Sequence, residues 1–257
     1  MNVAAIIPAR YGSIRFPGKP LAKQTGKFLI QHVCERVAAA RRIQRCTVAT
    51  DDERIVKAVR SFGGEAVMTR AGHPSGTDRI AEVVRKMPGE PDDIIVNVQG
   101  DEPEIEPGYL DRLVGRLAAE SPEEVPAATL ASPFPPGSNP RDPNRNKVVL
   151  DRAGRALYFS RALIPYPREK AAAGDGGPWL LHLGVYAYRR TFLLEFAGWE
   201  ASPLERVEKL EQLRVLEYGR ALAVEVVERA CVGIDTPADY ERFVARVAKE
   251  QARQHGR

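Results

Sequence analysis

Val3-Ala4-Ala5-Ile6-Ile7-Pro8-Ala9-Arg10-Tyr11-Gly12-Ser13-Ile14-Arg15-Phe16-Pro17-Gly18-Lys19-Pro20-Leu21 opens the chain and decides its architecture. Residues 3–8 are an unbroken apolar run, as a strand buried on both faces requires. A basic, glycine- and proline-containing loop follows. Strand and helix signals then alternate. Leu29, Ile30, Val33, Cys34 and Val37 recur at helical spacing, and residues 46–50 read as a strand. Asp51 or Asp52 caps a helix carrying Ile55, Val56, Val59 and Phe62, which Gly63-Gly64 stops. Residues 65–69 form a strand, Thr77 opens a helix with Ile80, Val83, Val84 and Met87, and residues 94–98 are the most strand-like segment. Pro107 opens another helix, and residues 127–131 are another strand.

This alternation predicts an α/β fold: a mostly parallel central sheet with right-handed crossovers and helices on both faces. Residues 132–180 break the rhythm with many prolines and two strand candidates, 147–150 and 156–160. They read as a smaller lobe inserted into a single domain spanning 1–257. The sheet resumes at 183–188. Ser202-Pro203-Leu204-Glu205 is a capping box opening a helix that runs to Tyr218, where Gly219 stops it. Residues 222–227 form a strand, and Thr236-Pro237 opens the last helix.

The 257 residues are 44% apolar and 28% charged, ordinary globular usage, and the 21 Gly and 20 Pro follow no period. No apolar stretch is long enough to span a bilayer. Residues 1–9 lack the basic flank of a signal peptide, so a cytoplasmic protein is expected. A net charge of +4 fits a well-solvated surface, with at most a weak preference for polyanions. Cys34, Cys46 and Cys231 have no CxxC spacing and read as free buried thiols. The four histidines have no zinc spacing.

Ligands on such sheets bind beyond the carboxyl ends of the strands. Arg10, Arg15 and Lys19 lie in such a place, among small residues and with no acid, which makes a polyphosphate cradle. It is not a Walker A loop, because five residues separate Gly12 from Gly18 and Pro20 holds the Ser/Thr position. The GxGxxG fingerprint is absent. Val98-Gln99-Gly100-Asp101-Glu102-Pro103 follows the strongest strand, where a carboxylate suits Mg2+ held against a nucleotide phosphate. In Val232-Gly233-Ile234-Asp235-Thr236-Pro237, an Asp again follows an apolar strand and precedes a helix; on its own it reads equally as a turn residue.

PAR-x-x-S-x-R-x-P-G-K-P-L, within residues 8–21, resembles the signature loop of the cytidylyltransferases that activate acidic sugars, closest to the 3-deoxy-manno-octulosonate (Kdo) cytidylyltransferase family. Gln99-Gly100-Asp101, Ser75-Gly76-Thr77-Asp78-Arg79, Tyr158-Phe159-Ser160-Arg161, His182-Leu183-Gly184-Val185-Tyr186 and Leu210-Glu211-Gln212-Leu213-Arg214 resemble further blocks of that family. The resemblance implies a nucleotide-diphospho-sugar transferase-like fold, a homodimer, and Mg2+-dependent transfer from CTP to Kdo for lipopolysaccharide synthesis. It implies that Ala9, Arg10, Ser13, Lys19, Ser75, Gly76, Arg79, Gln99 and Asp101 bind the nucleotide and that Arg15 shields charge at the reacting phosphorus. It further implies that Asp101 and Asp235 hold the metal, and that Arg161, His182, Tyr186, Glu211 and Gln212 bind the sugar acid. Phe28, Leu181 and Arg206 depart from the family pattern. Because the last two fall near the acceptor residues, an amino-substituted Kdo stays open, as do a sialic acid and a sugar-1-phosphate. A non-catalytic nucleotide or nucleic-acid binder is the remote alternative, disfavoured by the modest charge and the two acidic turns.

Overall fold

The computed structural model describes residues 1–13, 15–169 and 177–255. Ile14 of the first loop and residues 170–176 of the proline-rich stretch lie outside them. The chain divides into two compact units. One comprises Ala4–Pro88, Asn97–Pro107 and Cys231–Arg257; the other comprises Met1–Val3, Gly89–Val96 and Gly108–Ala230.

The first unit is built on three strands, β1 (Val3–Ala9), β2 (Arg45–Thr50) and β3 (Glu65–Met68), with helices α1 (Leu29–Ala38), α2 (Glu53–Ser61) and α3 (Gly76–Lys86). The strands pair in parallel, β2 between the other two. The register sets Ala9 opposite Thr50, and Thr50 opposite Met68. The three carboxyl ends therefore lie side by side, and the segments that leave them are neighbours. The buried faces follow the periodicity of the sequence: Leu29, Ile30, Val33 and Val37 on α1, and Ile55, Val56 and Val59 on α2.

Asp52, of the two candidates, caps α2 and accepts from the Arg54 amide. The α3 cap is Ser75 and not Thr77, with Gly76 already helical. Ser75 Oγ accepts from the Asp78 amide and donates to the Asp78 carboxylate, so a reciprocal pair outcompetes the single hydroxyl two residues on.

In the other unit β4 (Ile94–Asn97) and α4 (Pro107–Ala118) precede β5 (Ala127–Pro133), β6 (Lys147–Leu150), β7 (Ala156–Ser160) and β8 (Leu180–Arg189). After α5 (Arg190–Phe196), α6 (Pro203–Glu208) and α7 (Gln212–Glu217) comes β9 (Leu222–Val226); α8 (Pro237–His255), which belongs to the first unit, closes the chain. The strand order here is β4-β8-β5-β9. β5 runs parallel to β9 and antiparallel to β8, so the sheet is mixed. The two strands of the proline-rich stretch form an antiparallel pair, and β6 also pairs with β8. Lys147 is fully buried there, its ammonium donating to the carbonyls of Asp142, Arg145 and Arg161.

Two elements differ from the sequence reading. The helix expected from Pro203 to Tyr218 breaks at Lys209, which turns left-handed at φ 53°. The cause is visible: Arg161 Nε donates to the Glu208 carbonyl (2.6 Å), while the Ser160 hydroxyl and Arg161 amide hold the Glu208 carboxylate. These bonds take the carbonyl and side chain that a continuing helix would orient elsewhere. The expected strand at 232–234 is irregular chain: the Ile234 amide donates to the Asp101 carbonyl (2.8 Å), and the segment joins no ladder among the described residues. The three thiols are half-buried, less enclosed than expected.

Candidate active site

Two groups of side chains meet at the strand ends of the first unit. One is a cavity of about 590 Å³ lined by Ala9, Arg10, Tyr11, Gly12, Asp51, Asp52, Arg54, His73, Ser75, Gly76, Arg79 and Gln99, among others. It combines cations, the N-terminus of α3 with its positive dipole, and the loop after β1, which suits a phosphorylated ligand. Gly76 is a point of close approach: a Cβ there would lie 3.3 Å from Pro8 Cγ. Arg79 is buried and spent on the scaffold, donating to Thr69 Oγ1 (2.6 Å) and Asp51 Oδ2 (2.9 Å). It ties the segments after β2 and β3 to α3. Gln99 Nε2 donates to Asn97 Oδ1 (3.1 Å). Ser13 Oγ accepts from the Phe16 amide, shaping the loop.

The other group centres on Lys19. Its ammonium donates to Asp101 Oδ2 at 2.8 Å and to the Ile234 carbonyl at 2.6 Å, and Asp235 Oδ1 lies 4.0 Å away. Arg15 donates to the same Asp235 oxygen at 2.8 Å. Residues separated by more than two hundred positions are thus joined by local chemistry. Ile234 is fully buried among Leu29, Tyr240 and Phe243, which fixes the segment before Asp235. Asp239 accepts from the Asp235 and Thr236 amides, which fixes the segment after it. Gly100 lets the acidic turn lie against β1, since a Cβ there would be 3.1 Å from the Pro8 carbonyl.

Behind these carboxylates stands Glu102, which sequence reading passed over. Burial, then the charges of Asp101 and Asp235, push its carboxyl up to about 8, so it is protonated at neutral pH. Its Oε2 is buried without a hydrogen-bond partner. Asp51, Asp52 and Arg54 were also missed as cavity residues; the signal was present in Asp51-Asp52, placed directly after a strand.

The residues matched to sugar-acid binding lie in the other unit. His182 is buried, with Nε2 3.1 Å from Thr129 Oγ1 and its ring edge-on to Phe159. Burial pushes its pKa down to about 3. Its neighbour Tyr186, 5.5 Å between ring centroids, stacks on Tyr188, and burial and then Glu211 raise its hydroxyl above the ordinary range. Arg161 is occupied by the carbonyls of Pro143, Glu208 and Lys209. Glu211 accepts from Arg214 (3.1 Å), and Gln212 is buried with Nε2 unpartnered. Among the described residues no group of three or more His, Cys, Asp or Glu side chains forms a metal cluster, and no helix is long and apolar enough to cross a membrane.

A family model described as cytidylyltransferase matches residues 4–226. The 3-deoxy-manno-octulosonate cytidylyltransferase of Syntrophotalea carbinolica is 52% identical over 96% of this chain and 99% of its own length. The enzyme of that name from Geobacter metallireducens is 47% identical over 98% and 100%. A solved CMP:2-keto-3-deoxy-manno-octonic acid synthetase complexed with CTP superposes with a TM-score of 0.89 at 42% identity, covering 97% of this chain and all of that one. The 4-diphosphocytidyl-2C-methyl-D-erythritol synthase of Anaerococcus prevotii, 12% identical with a TM-score of 0.63 over 96% and 98%, shares the fold. This chain belongs to the cytidylyltransferase family, among its 3-deoxy-manno-octulosonate cytidylyltransferases.

Proposed function

We propose that this chain joins CTP to the anomeric hydroxyl of Kdo, releasing pyrophosphate and giving CMP-Kdo for lipopolysaccharide synthesis, with Mg2+ as its metal. The observation that carries the reading is the convergence of Asp101 and Asp235 on the Lys19 ammonium, at the end of the loop that also bears Arg10. The relatives that share the whole chain support the nucleotide and the acceptor.

The donor set suits Mg2+. Asp101 and Asp235 bring hard carboxylate oxygens to within 2.8 and 4.0 Å of one point, the Lys19 ammonium. Two carboxylates without a third ligand are what Mg2+ uses when phosphate oxygens and water complete its shell. Asp101 and Asp235 would hold it. Bound there, the ion supplies positive charge to the phosphates and lowers the pKa of the attacking hydroxyl.

The protein's own work is positioning and charge neutralisation. Arg10, Lys19 and the loop amides, with Ser13 shaping the loop, hold the triphosphate, and Arg15 shields charge at the α-phosphorus. Ala9, Ser75, Gly76, Arg79 and Gln99 frame the nucleoside. In the other unit Tyr186, Glu211 and the unpartnered Gln212 amide read the sugar acid, while buried His182 and carbonyl-bound Arg161 set the shape of that surface. The anomeric hydroxyl gives up its proton to solvent and its oxygen bonds to the α-phosphorus as the bond to the β-phosphate oxygen breaks, and pyrophosphate leaves. We place the enzyme in the cytoplasm, where CTP is made, and assign it a homodimer, which a mass from light scattering tests.

Pyrophosphate release measured with each nucleoside triphosphate against Kdo, 8-amino-Kdo, a sialic acid and a sugar-1-phosphate tests the reading. CTP with Kdo gives the highest kcat/KM. A preference for another nucleotide or acceptor overturns it.

A further inference from the structure

Tyr11 takes no part in the chemistry proposed above, yet both its carbonyl and its ring hold the first loop. Its carbonyl accepts from the amides of Ser13 (2.9 Å) and Gly18 (3.0 Å), closing the loop on itself. Its ring lies against Gly18, where a Cβ would come within 3.1 Å of the ring carbons. Gly18 also has φ +70°, so that position needs glycine for space and for conformation. Lys19 is the next residue. The Arg54 guanidinium sits 3.4 Å from the centroid of the same ring. Arg54 is held in turn by Asp52: Nε donates to Oδ1 at 2.9 Å and Nη2 to Oδ2 at 2.7 Å. Asp52 is the N-cap of α2. An unbroken line of contacts therefore runs from a helix N-terminus through Asp52, Arg54 and Tyr11 to Gly18 and Lys19. Arg10, Tyr11, Asp52 and Arg54 all line the one cavity.

We propose that Tyr11 and Arg54 form a latch that holds the phosphate loop in its binding shape before the nucleotide arrives. Both are positioning residues for the triphosphate, and the proposal rests on reading the loop as the triphosphate grip. A loop with several glycines and prolines and no latch must be ordered by its ligand, and that ordering is subtracted from affinity. The latch supplies the order from α2. It acts on the bound and transition states alike, so its loss weakens CTP binding and leaves the chemical step alone. The neutralised Arg54–Asp52 pair also keeps a cation on the ring without adding net charge beside Arg10.

The test is steady-state kinetics together with calorimetric binding of CTP for Arg54→Gln, Tyr11→Leu, Tyr11→Phe and Arg10→Ala. Arg54 is exposed on the first turn of α2, so Arg54→Gln keeps the fold even if Tyr11→Leu does not. Arg54→Gln and Tyr11→Leu are expected to raise the KM and Kd for CTP about three- to tenfold, with kcat held within about twofold and the KM for the sugar acid unmoved. Tyr11→Phe, which keeps the ring, stays close to the parent. The latch is overturned if Arg54→Gln binds CTP normally, if Tyr11→Phe is as impaired as Tyr11→Leu, or if both KM values rise together. If Arg10→Ala weakens CTP and the latch variants do not, the latch alone fails. If Arg10→Ala also binds CTP normally, the triphosphate reading of the loop fails with it.

Discussion

Replacing Lys19 with methionine removes one charge and leaves a side chain of similar length. The Lys19 side chain is 12% exposed, and its ammonium holds three oxygens: Asp101 Oδ2 at 2.8 Å, the Ile234 carbonyl at 2.6 Å and, more loosely, Asp235 Oδ1 at 4.0 Å. Lys19 and Arg15 now balance Asp101 and Asp235, with Glu102 protonated; without Lys19 the site carries an excess negative charge just where a triphosphate must sit. Loss of one preorganised donor to a developing phosphate charge is worth about 2.7–4 kcal/mol, or roughly 10²–10³-fold in turnover. The stability cost is smaller. Asp101 and Asp235 are 31% and 52% exposed, so water screens them and the ion pairs contribute about 1 kcal/mol or less. The stranded Ile234 carbonyl adds about 1–2 kcal/mol. At about 2–4 °C per kcal/mol for a chain of this size, Tm falls by roughly 3–10 °C. Turnover from pyrophosphate release at 25 °C, alongside a melting curve, separates the two effects. Lys19→Arg does not rescue, because a planar fork cannot replace a point charge among three oxygens. Turnover within about threefold of the parent in Lys19→Met would remove the ammonium from the mechanism.

Other outcomes follow from the same geometry. Asp101→Asn and Asp235→Asn each cut turnover by at least about 10²-fold, chelation abolishes activity and added Mg2+ restores it in the parent; near-normal turnover of Asp235→Asn removes that residue from the site. His182, held neutral with a pKa near 3 against 6.5 in the open chain, binds fewer protons folded than unfolded across that window. Stability is therefore lost as pH falls from 6.5 toward 3, at up to about 1.4 kcal/mol per pH unit, and His182→Gln melts with a shallower acid dependence; parallel curves for the two proteins contradict this. Lys209→Gly relieves the left-handed backbone at φ 53° and raises Tm by about 1–3 °C, a gain of under about 1 kcal/mol; a lower Tm means that the lysine side chain outweighs the strain.

Much of the architecture was legible because it is periodic. The run at 3–8, the helical spacing of Leu29, Ile30, Val33 and Val37, and the stop at Gly63-Gly64 fall where the structure has β1, α1 and the end of α2. What escaped was decided by distant partners. No local signal tells that Arg161 reaches the Glu208 and Lys209 carbonyls and breaks a helix that Ser202-Pro203 starts well. The segment before Asp235 is apolar because Ile234 enters a core with Leu29 and Phe243, and apolarity alone reads as a strand. The rule that ligands lie beyond parallel strand ends pointed to the loop after β1 and the turn at Asp101, which meet through Lys19. Applied to β2 it would also have found Asp51, Asp52 and Arg54. Glu102 stayed invisible because its meaning depends on burial beside two carboxylates far apart in the chain. The acceptor residues were the least legible: whether an arginine or histidine faces ligand or scaffold is set by neighbours such as Thr129 and Pro143.

A crystal structure of this protein with CTP and Mg2+ tests the central claim most directly. The triphosphate is expected within hydrogen-bond reach of Arg10 and Lys19, with a metal ion bound by Asp101 and Asp235. A nucleotide whose phosphates avoid that loop, or a metal held without either carboxylate, would contradict the account.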